Sequence, residues 1–374
     1  MDNLWQVGVL FSQSGVSAPY GISQLRGTLL AIVEINEAGG ILGQQLTPII
    51  YDPKSDPNLY SALANRLLMD DGVNIIFGCT ASFSRKIVLP WLEKRDALLW
   101  YPTSYEGFDY SPNIIYTGAA PNQLHVDLVD YLFKIRRKRY YYIGSEYIFP
   151  RESSRIFREL VYERGGEVVA EQYVDLNAPK DLFPYIISDI KRHKPDIIFS
   201  AIVGPATPFL YDAYWQAGLD PERIPIASLT TNESDLMMME QEPLPGHVTA
   251  SPYFGTIDSP ENQAFVERFK QRYHADVPVD ACAETAYFQV LLFARALERA
   301  ERMDAELIRK AVLGIEVQAP QGPVTIDPDN NHTYLWPRIG VVSEGRRFRV
   351  VQSSQLPVKP DPYLADYIGM GMSV

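Results

Sequence analysis

Two rhythms of apolar and polar positions follow one another repeatedly along this chain. A short apolar run at 7–11 reads as a buried strand. Residues 22–38 then place Leu25, Leu29, Ile32 and Ile35 at helical spacing and stop at Gly39-Gly40, a C-cap signal. A strand pattern at 46–51 comes next, and Asp56-Pro57 opens a helix with proline at its first position. Strand 74–77, helix 82–95 and strand 97–101 continue the series. This alternation predicts βαβ units and a parallel sheet.

The rhythm restarts after Ala119-Ala120-Pro121-Asn122. Strand patterns at 139–143, 167–173, 196–201 and 225–229 alternate with helical windows, one running from Pro150 to Gly165-Gly166 and another from near Pro205 to Gly218. Past His247 come a strand-like stretch at 248–254, helices at 260–273, 281–300 and 305–313, and β-type runs at 339–342 and 348–351. Trailing elements that belong to neither sheet alone predict a chain that crosses between two lobes more than once. The expected crossings are 116–121, 250–255 and 326–332, each rich in Gly, Pro, Ala or Asn. The expected fold is therefore α/β, with two doubly wound parallel-sheet lobes joined by three crossovers. One lobe comprises 1–118 with 254–327, the other 119–253 with 328–374.

A length of 374 residues agrees with two domains. The formal net charge of −12 argues against a nucleic-acid surface, which needs clustered Lys and Arg. The densest basic run, 134–139, follows an apolar helical window and reads as a helix C-terminus complementing the dipole. Two cysteines, Cys79 and Cys282, suggest no disulfide framework, and five scattered histidines show no zinc spacing. No metal or cofactor is expected. No apolar run is long enough to span a bilayer, so no membrane partner is expected. The chain runs from Met1 into a strand pattern without a leader signature, so the expected location is cytoplasmic, or periplasmic if a leader has been removed.

In open α/β sheets, ligands sit beyond the carboxyl ends of the strands, and two facing lobes would make a cleft of those ends. The residues there are Ser12-Gln13-Ser14-Gly15, Gly78-Cys79-Thr80-Ala81-Ser82 and Tyr101-Pro102-Thr103-Ser104-Tyr105-Glu106 in the first lobe. In the second they are 145–149, 203–205 and Thr230-Thr231-Asn232-Glu233. The set is rich in hydroxyls and aromatic rings and poor in charge, which suits a small neutral ligand. Glu106, Glu146 and Glu233 read as solvent-facing or loop-orienting carboxylates. Ser82 reads as a helix N-cap whose hydroxyl could also meet a ligand oxygen, with Gly78 allowing close backbone approach. No nucleophile elbow, phosphate loop or dinucleotide fingerprint occurs, and a lone Cys79 reads as packed, so no catalysis is expected.

Several stretches resemble a known family. Residues 35–43 (Ile-Asn-Glu-Ala-Gly-Gly-Ile-Leu-Gly) resemble the hallmark of type I periplasmic-binding-protein folds. Gly78-Cys79, Ser84-Arg85-Lys86, Tyr101-Pro102, residues 105–108, 120–123, 319–323 and Asn330-Asn331-His332 are similar to its amide/urea-binding branch. Residues 147–153 and 226–231 look most like the amide sensors that negatively regulate aliphatic amidase expression. The resemblance implies a non-catalytic protein that binds a short amide or urea-like ligand and controls an RNA-binding antiterminator, without touching nucleic acid itself. A homo-oligomer is compatible with it. The alternative on the same fold is the solute receptor of a urea or amide ABC transporter. Carried onto this chain, the pocket residues are Ser82, Tyr101, Thr103, Tyr147 and Thr230, lined by Thr80, Ser104 and Phe149. The family pattern has Tyr at position 80, Pro at 104 and Tyr at 149. Losing the ring at Thr80 frees on the order of 150 Å² of buried surface. The implied ligand is therefore larger or more polar than the smallest amides.

Overall fold

The computed structural model describes residues 4–364. In chain order the regular elements begin with β1 (Leu4–Leu10), α1 (Ala18–Glu37), β2 (Gln45–Tyr51), α2 (Pro57–Met69), β3 (Ile75–Gly78), α3 (Ser82–Lys94), β4 (Leu98–Tyr101) and β5 (Ile114–Tyr116). Next come α4 (His125–Lys134), β6 (Arg139–Ser145), α5 (Ile148–Glu163), β7 (Glu167–Val174), α6 (Phe183–His193), β8 (Ile197–Ala201), α7 (Ala206–Gln216), β9 (Ile226–Ser228), α8 (Glu233–Met238) and β10 (Val248–Ser251). The chain ends with α9 (Pro260–Tyr273), α10 (Ala281–Ala300), α11 (Ala305–Val312), β11 (Glu316–Ala319), β12 (Gly322–Ile326), β13 (Thr333–Tyr334), β14 (Arg338–Ser343) and β15 (Arg347–Ser353). Two compact units result, Met1–Ala119 with Asp258–Leu335 and Ala120–Ile257 with Trp336–Val374.

The first unit holds a five-stranded sheet in the order β2-β1-β3-β4-β5, parallel throughout. Alternate residues of its strands face opposite layers, as the strand period requires. Leu10, Ile76 and Leu99 pack with Tyr60, Leu67, Val88 and Leu92 of α2 and α3. Phe77 and Trp100 face the other way and meet Phe293 of α10 edge-on, at 5.3 and 6.1 Å between centroids. Helix α2 begins as its sequence predicts: the Asp56 carboxylate accepts from the backbone N–H of Asn58 at 2.7 Å and of Leu59 at 3.1 Å. A separate antiparallel ribbon, β11-β12-β13, belongs to the same unit.

The second unit carries a seven-stranded sheet in the order β15-β14-β10-β9-β8-β6-β7. Five strands from β10 to β7 are parallel, and β14 and β15 add to one edge antiparallel. Ile143, Ile198 and Ile226 pack with Phe183, Ile190 and Leu210 of α6 and α7. On the opposite face Phe199 stacks on Phe157 of α5, with centroids 3.7 Å apart.

Several expectations need correction. The second crossing lies at 257/258, because Glu233 accepts from Gly255 N–H at 2.9 Å and Thr256 donates to the Phe348 carbonyl at 2.7 Å, holding this segment in the second unit. The third lies at 335/336 instead of near 327/328: β13 still pairs with β12, and the Thr333 hydroxyl donates to the Tyr116 carbonyl at 3.0 Å. Of the basic run, only Lys134 sits in the last turn of α4. Arg139 starts β6 and pairs with Glu167 on the neighbouring strand. No helix among the described residues is long and apolar enough to cross a membrane.

Candidate functional site

The carboxyl ends of β1, β3 and β4 lie on one edge of the first unit's parallel sheet and present a connected set of polar groups. Ser12, just after β1, shares a hydrogen bond with the Tyr60 hydroxyl at 2.8 Å, and Tyr60 reaches Thr80 at 3.3 Å. Between β3 and α3, Cys79 adopts a positive φ of 71°, an uncommon conformation for a residue with a side chain. The turn is tight: a Cβ on Gly78 would stand 2.7 Å from the Leu10 carbonyl oxygen. Burial pushes the Cys79 thiol up to about 12, so near neutral pH it is not a thiolate nucleophile.

Helix α3 starts at Ser82, one residue earlier than an N-cap role for Ser82 requires. Ala81, extended at φ −145°, occupies the cap position, and the Ser84 hydroxyl accepts from its N–H at 3.2 Å. The Ser82 hydroxyl is thus released from capping and donates to Glu106. Glu106 itself is only 2% exposed, so of the two roles expected for it, solvent-facing or loop-orienting, the first does not hold. It is the counter-ion of Arg85, whose Nη2 lies 3.1 Å from Glu106 and 3.0 Å from Asp109. Burial works against the charge of Asp109, but Lys86 and Arg85 hold its carboxyl below the ordinary range.

Arg85 is completely buried and rests against the rings of Tyr105 and Tyr101, at 4.6 and 5.0 Å from their centroids. Tyr116 and His332 complete the wall, stacked 4.1 Å apart with their rings nearly parallel. Burial lowers the His332 ring to about 4, so it is neutral at physiological pH. The Tyr101 hydroxyl, buried beside Ser82, lacks a hydrogen-bond partner of good geometry, and burial raises its pKa. Thr103 donates to the Cys79 carbonyl at 3.1 Å and accepts from the Gln24 side-chain amide at 2.8 Å. Gly118 backs this loop so closely that a Cβ there would fall 2.1 Å from the Thr103 carbonyl carbon. Ser104 is half-buried beside it.

In the second unit the corresponding strand ends follow β6, β8 and β9. Tyr147 immediately precedes α5, and Phe149 lies buried in its first turn, with the two rings 6.3 Å apart. Thr230, after β9, donates to the Ile202 carbonyl at 2.7 Å. Asn232 caps α8 by accepting from Asp235 N–H at 3.1 Å. Glu146 is exposed and bonds Arg151, whereas Glu233 is buried and ties down Gly255.

Thr80, Ser82, Tyr101, Thr103 and Ser104 therefore share one strand-end edge of the first unit, and Tyr147, Phe149 and Thr230 share one of the second. Sequence reasoning missed Gln24, fully buried on α1, and the Arg85–Glu106 pair as support for Ser82. The motif residues Ser84-Arg85-Lys86 and Tyr105-Glu106 were visible, but nothing in their spacing tells a buried ion pair from a solvated one. Among the described residues no cluster of three His, Cys, Asp or Glu could hold a metal ion.

A model of the family described as "Periplasmic binding protein domain" matches residues 5–368. The chain is 26% identical over 304 residues to "Leu/Ile/Val-binding protein homolog 6" of Brucella melitensis, covering 79% of this chain and 77% of that one. It is 25% identical over 323 residues to a leucine-, isoleucine-, valine-, threonine- and alanine-binding protein of Pseudomonas aeruginosa, covering 84% and 83%. A solute-binding protein of an ABC transporter from R. palustris, solved with 4-hydroxybenzoate, superposes with a TM-score of 0.86 at 23% identity, over 95% of this chain and 98% of that one. The architecture is the type I periplasmic-binding-protein fold, as expected.

Proposed function

Because this chain belongs to the periplasmic-binding-protein family, we propose that it is a non-catalytic receptor for a small uncharged solute, amide- or urea-like, of the kind that serves an ABC transporter. The pocket assigned to it comprises Ser82, Tyr101, Thr103, Tyr147 and Thr230, lined by Thr80, Ser104 and Phe149. One observation carries the reading: the two cations beside the first unit's strand ends, the buried Arg85 and the half-exposed Lys86, are cancelled by Glu106 and Asp109. A carboxylate ligand needs a cation or several charge-assisted donors to offset its dehydration. What the edge offers instead is hydroxyls and rings, with the first N–H groups of α3 as its one partly positive element, enough for a ligand carbonyl oxygen.

The names of the relatives speak of aliphatic amino acids and of an aromatic acid. A neutral ligand would be this chain's departure from them. Calorimetric titration with acetamide, butyramide, benzamide, urea, leucine and 4-hydroxybenzoate tests the proposal, with an ammonia assay alongside to exclude turnover. Saturable binding of an amide or urea supports it, and tightest binding by an acid overturns it. Within the amides, Thr80, Ser104 and Phe149 favour a ligand larger or more polar than acetamide.

The stretches at 147–153 and 226–231 favour a second reading, a ligand-dependent regulator of amidase or nitrile-metabolism genes acting in the cytoplasm through an antiterminator. Cell fractionation, and co-purification with an antiterminator that is lost on adding amide, separates it from the transport receptor.

A further inference from the structure

Resting on that reading, we propose that Glu106 is a specificity-determining positioning residue: by taking the Ser82 proton it leaves Ser82 only lone pairs to offer, so the ligand must bring an N–H donor and carboxylates are turned away. A serine hydroxyl has one proton and two acceptor lone pairs. In the contact between Ser82 and Glu106 the hydroxyl donates and the carboxylate, paired with Arg85, accepts. The other oxygen of Glu106 is held by Arg85 Nη2 at 3.1 Å, which fixes the carboxylate and keeps it from swinging away. Ser82 and Glu106 are both 2% exposed, so water does not compete for the proton.

The same polarity recurs at the two assigned threonines, Thr103 and Thr230. Thr103 gives its proton to the Cys79 carbonyl at 3.1 Å and has one lone pair already taken by Gln24. Thr230, in the second unit, gives its proton to the Ile202 carbonyl at 2.7 Å. Carbonyl oxygens only accept, so these directions follow from the partners alone. Ser82 and Thr103, from two strand ends of the first unit, are therefore acceptors toward any ligand there, and Thr230 has the same polarity within its own unit. A primary amide brings two N–H donors and urea brings four, whereas a carboxylate brings none and would set its lone pairs against theirs. The ligand's own carbonyl would meet donors of the opposite kind, the opening N–H groups of α3.

The test is a set of isosteric pairs (propionamide and propionate, butyramide and butyrate, benzamide and benzoate) titrated calorimetrically at neutral pH into the full chain and its variants. The wild-type protein binds the amide of a pair more tightly by roughly 100-fold or more, as sites built for a polar group reject its complement. In Glu106→Gln the glutamine amide donates to Ser82, the hydroxyl turns toward the ligand, and the amide-to-carboxylate ratio falls by about ten-fold or more. In the Ser82→Ala background the same change at Glu106 leaves the ratio unaltered, because the effect passes through the hydroxyl. Ser82→Ala alone weakens amides without weakening carboxylates, which keeps the test decisive if Glu106→Gln does not fold. A wild-type preference for carboxylates, or an equal shift in both backgrounds, overturns the inference while leaving a binding protein. Binding of neither member of any pair, nor of urea titrated alongside them, overturns the underlying reading as well.

Discussion

Replacing Arg85 with methionine removes a charge from a site where almost no water reaches. The side chain is 1% exposed, its partner Glu106 is 2% exposed, and three tyrosine rings enclose the guanidinium within 6 Å of their centroids. Methionine fills much of the volume, so cavity formation is a small part of the effect. What remains is a buried Glu106 carboxylate with only the half-exposed Lys86 ammonium, 3.9 Å away, as a cation, a loss of about 3 kcal/mol. For a chain of this size that lowers the melting temperature by about 5 °C. The double variant Arg85→Met/Glu106→Gln strands no charge and should recover a large part of the loss, giving a coupling of roughly 1–3 kcal/mol in a double-mutant cycle. Chemical denaturation followed by circular dichroism and calorimetry measures both. An Arg85→Met variant within about 1 kcal/mol of wild type, or a double variant as unstable as the sum of the singles, would refute the buried-pair argument.

Three further outcomes are expected. Gly118→Ala forces a methyl against the Thr103 carbonyl, 2.1 Å from its carbon, so the loop must move and ligand affinity should fall by roughly ten-fold with a loss of about 1–3 kcal/mol in stability; titration and melting check each. Iodoacetamide at pH 8 should label the half-buried Cys282 in the native protein and spare Cys79, which is buried and pushed up to about 12, with both labelled after denaturation; peptide mass spectrometry reads the sites. Burial lowers the His332 and His125 rings from 6.5 to about 4, so in the folded state they refuse protons that the unfolded chain accepts. That stability is complete above the unfolded value and is lost as pH falls from 6.5 toward 4, a slope that His332→Phe should flatten in melts across that range.

Much of the scaffold can be read from hydrophobic periodicity. The runs containing Val9, Phe77, Trp100, Ile143 and Phe199 are central parallel strands because they are apolar on both faces, and both faces are covered. Strand ends follow from strands, so the edge bearing Thr80, Ser82, Tyr101 and Thr103 was legible as well. Elements set by tertiary contact were not. The three-residue β5 and the two-residue β13 exist because Tyr116 N–H meets the Asn331 carbonyl at 2.9 Å and Thr325 pairs with Tyr334, which carries no local signature. Arg85 and Gln24 failed for a related reason. Charged and amide side chains on helices read as solvated unless their partners, far away in sequence, are known. The direction of the Ser82 hydrogen bond lies deeper still, since it depends on Ala81 taking the cap and on Arg85 holding Glu106 in place.

The central claim is that the strand ends receive a neutral, donor-bearing solute and do no chemistry on it. Titration of the wild-type protein with butyramide and butyrate, in the same buffer and with ammonia followed in the cell, tests it most directly. The account predicts a saturable heat with butyramide, no measurable binding of butyrate, and no ammonia. Tight binding of butyrate with none of butyramide, or steady ammonia release, would contradict it.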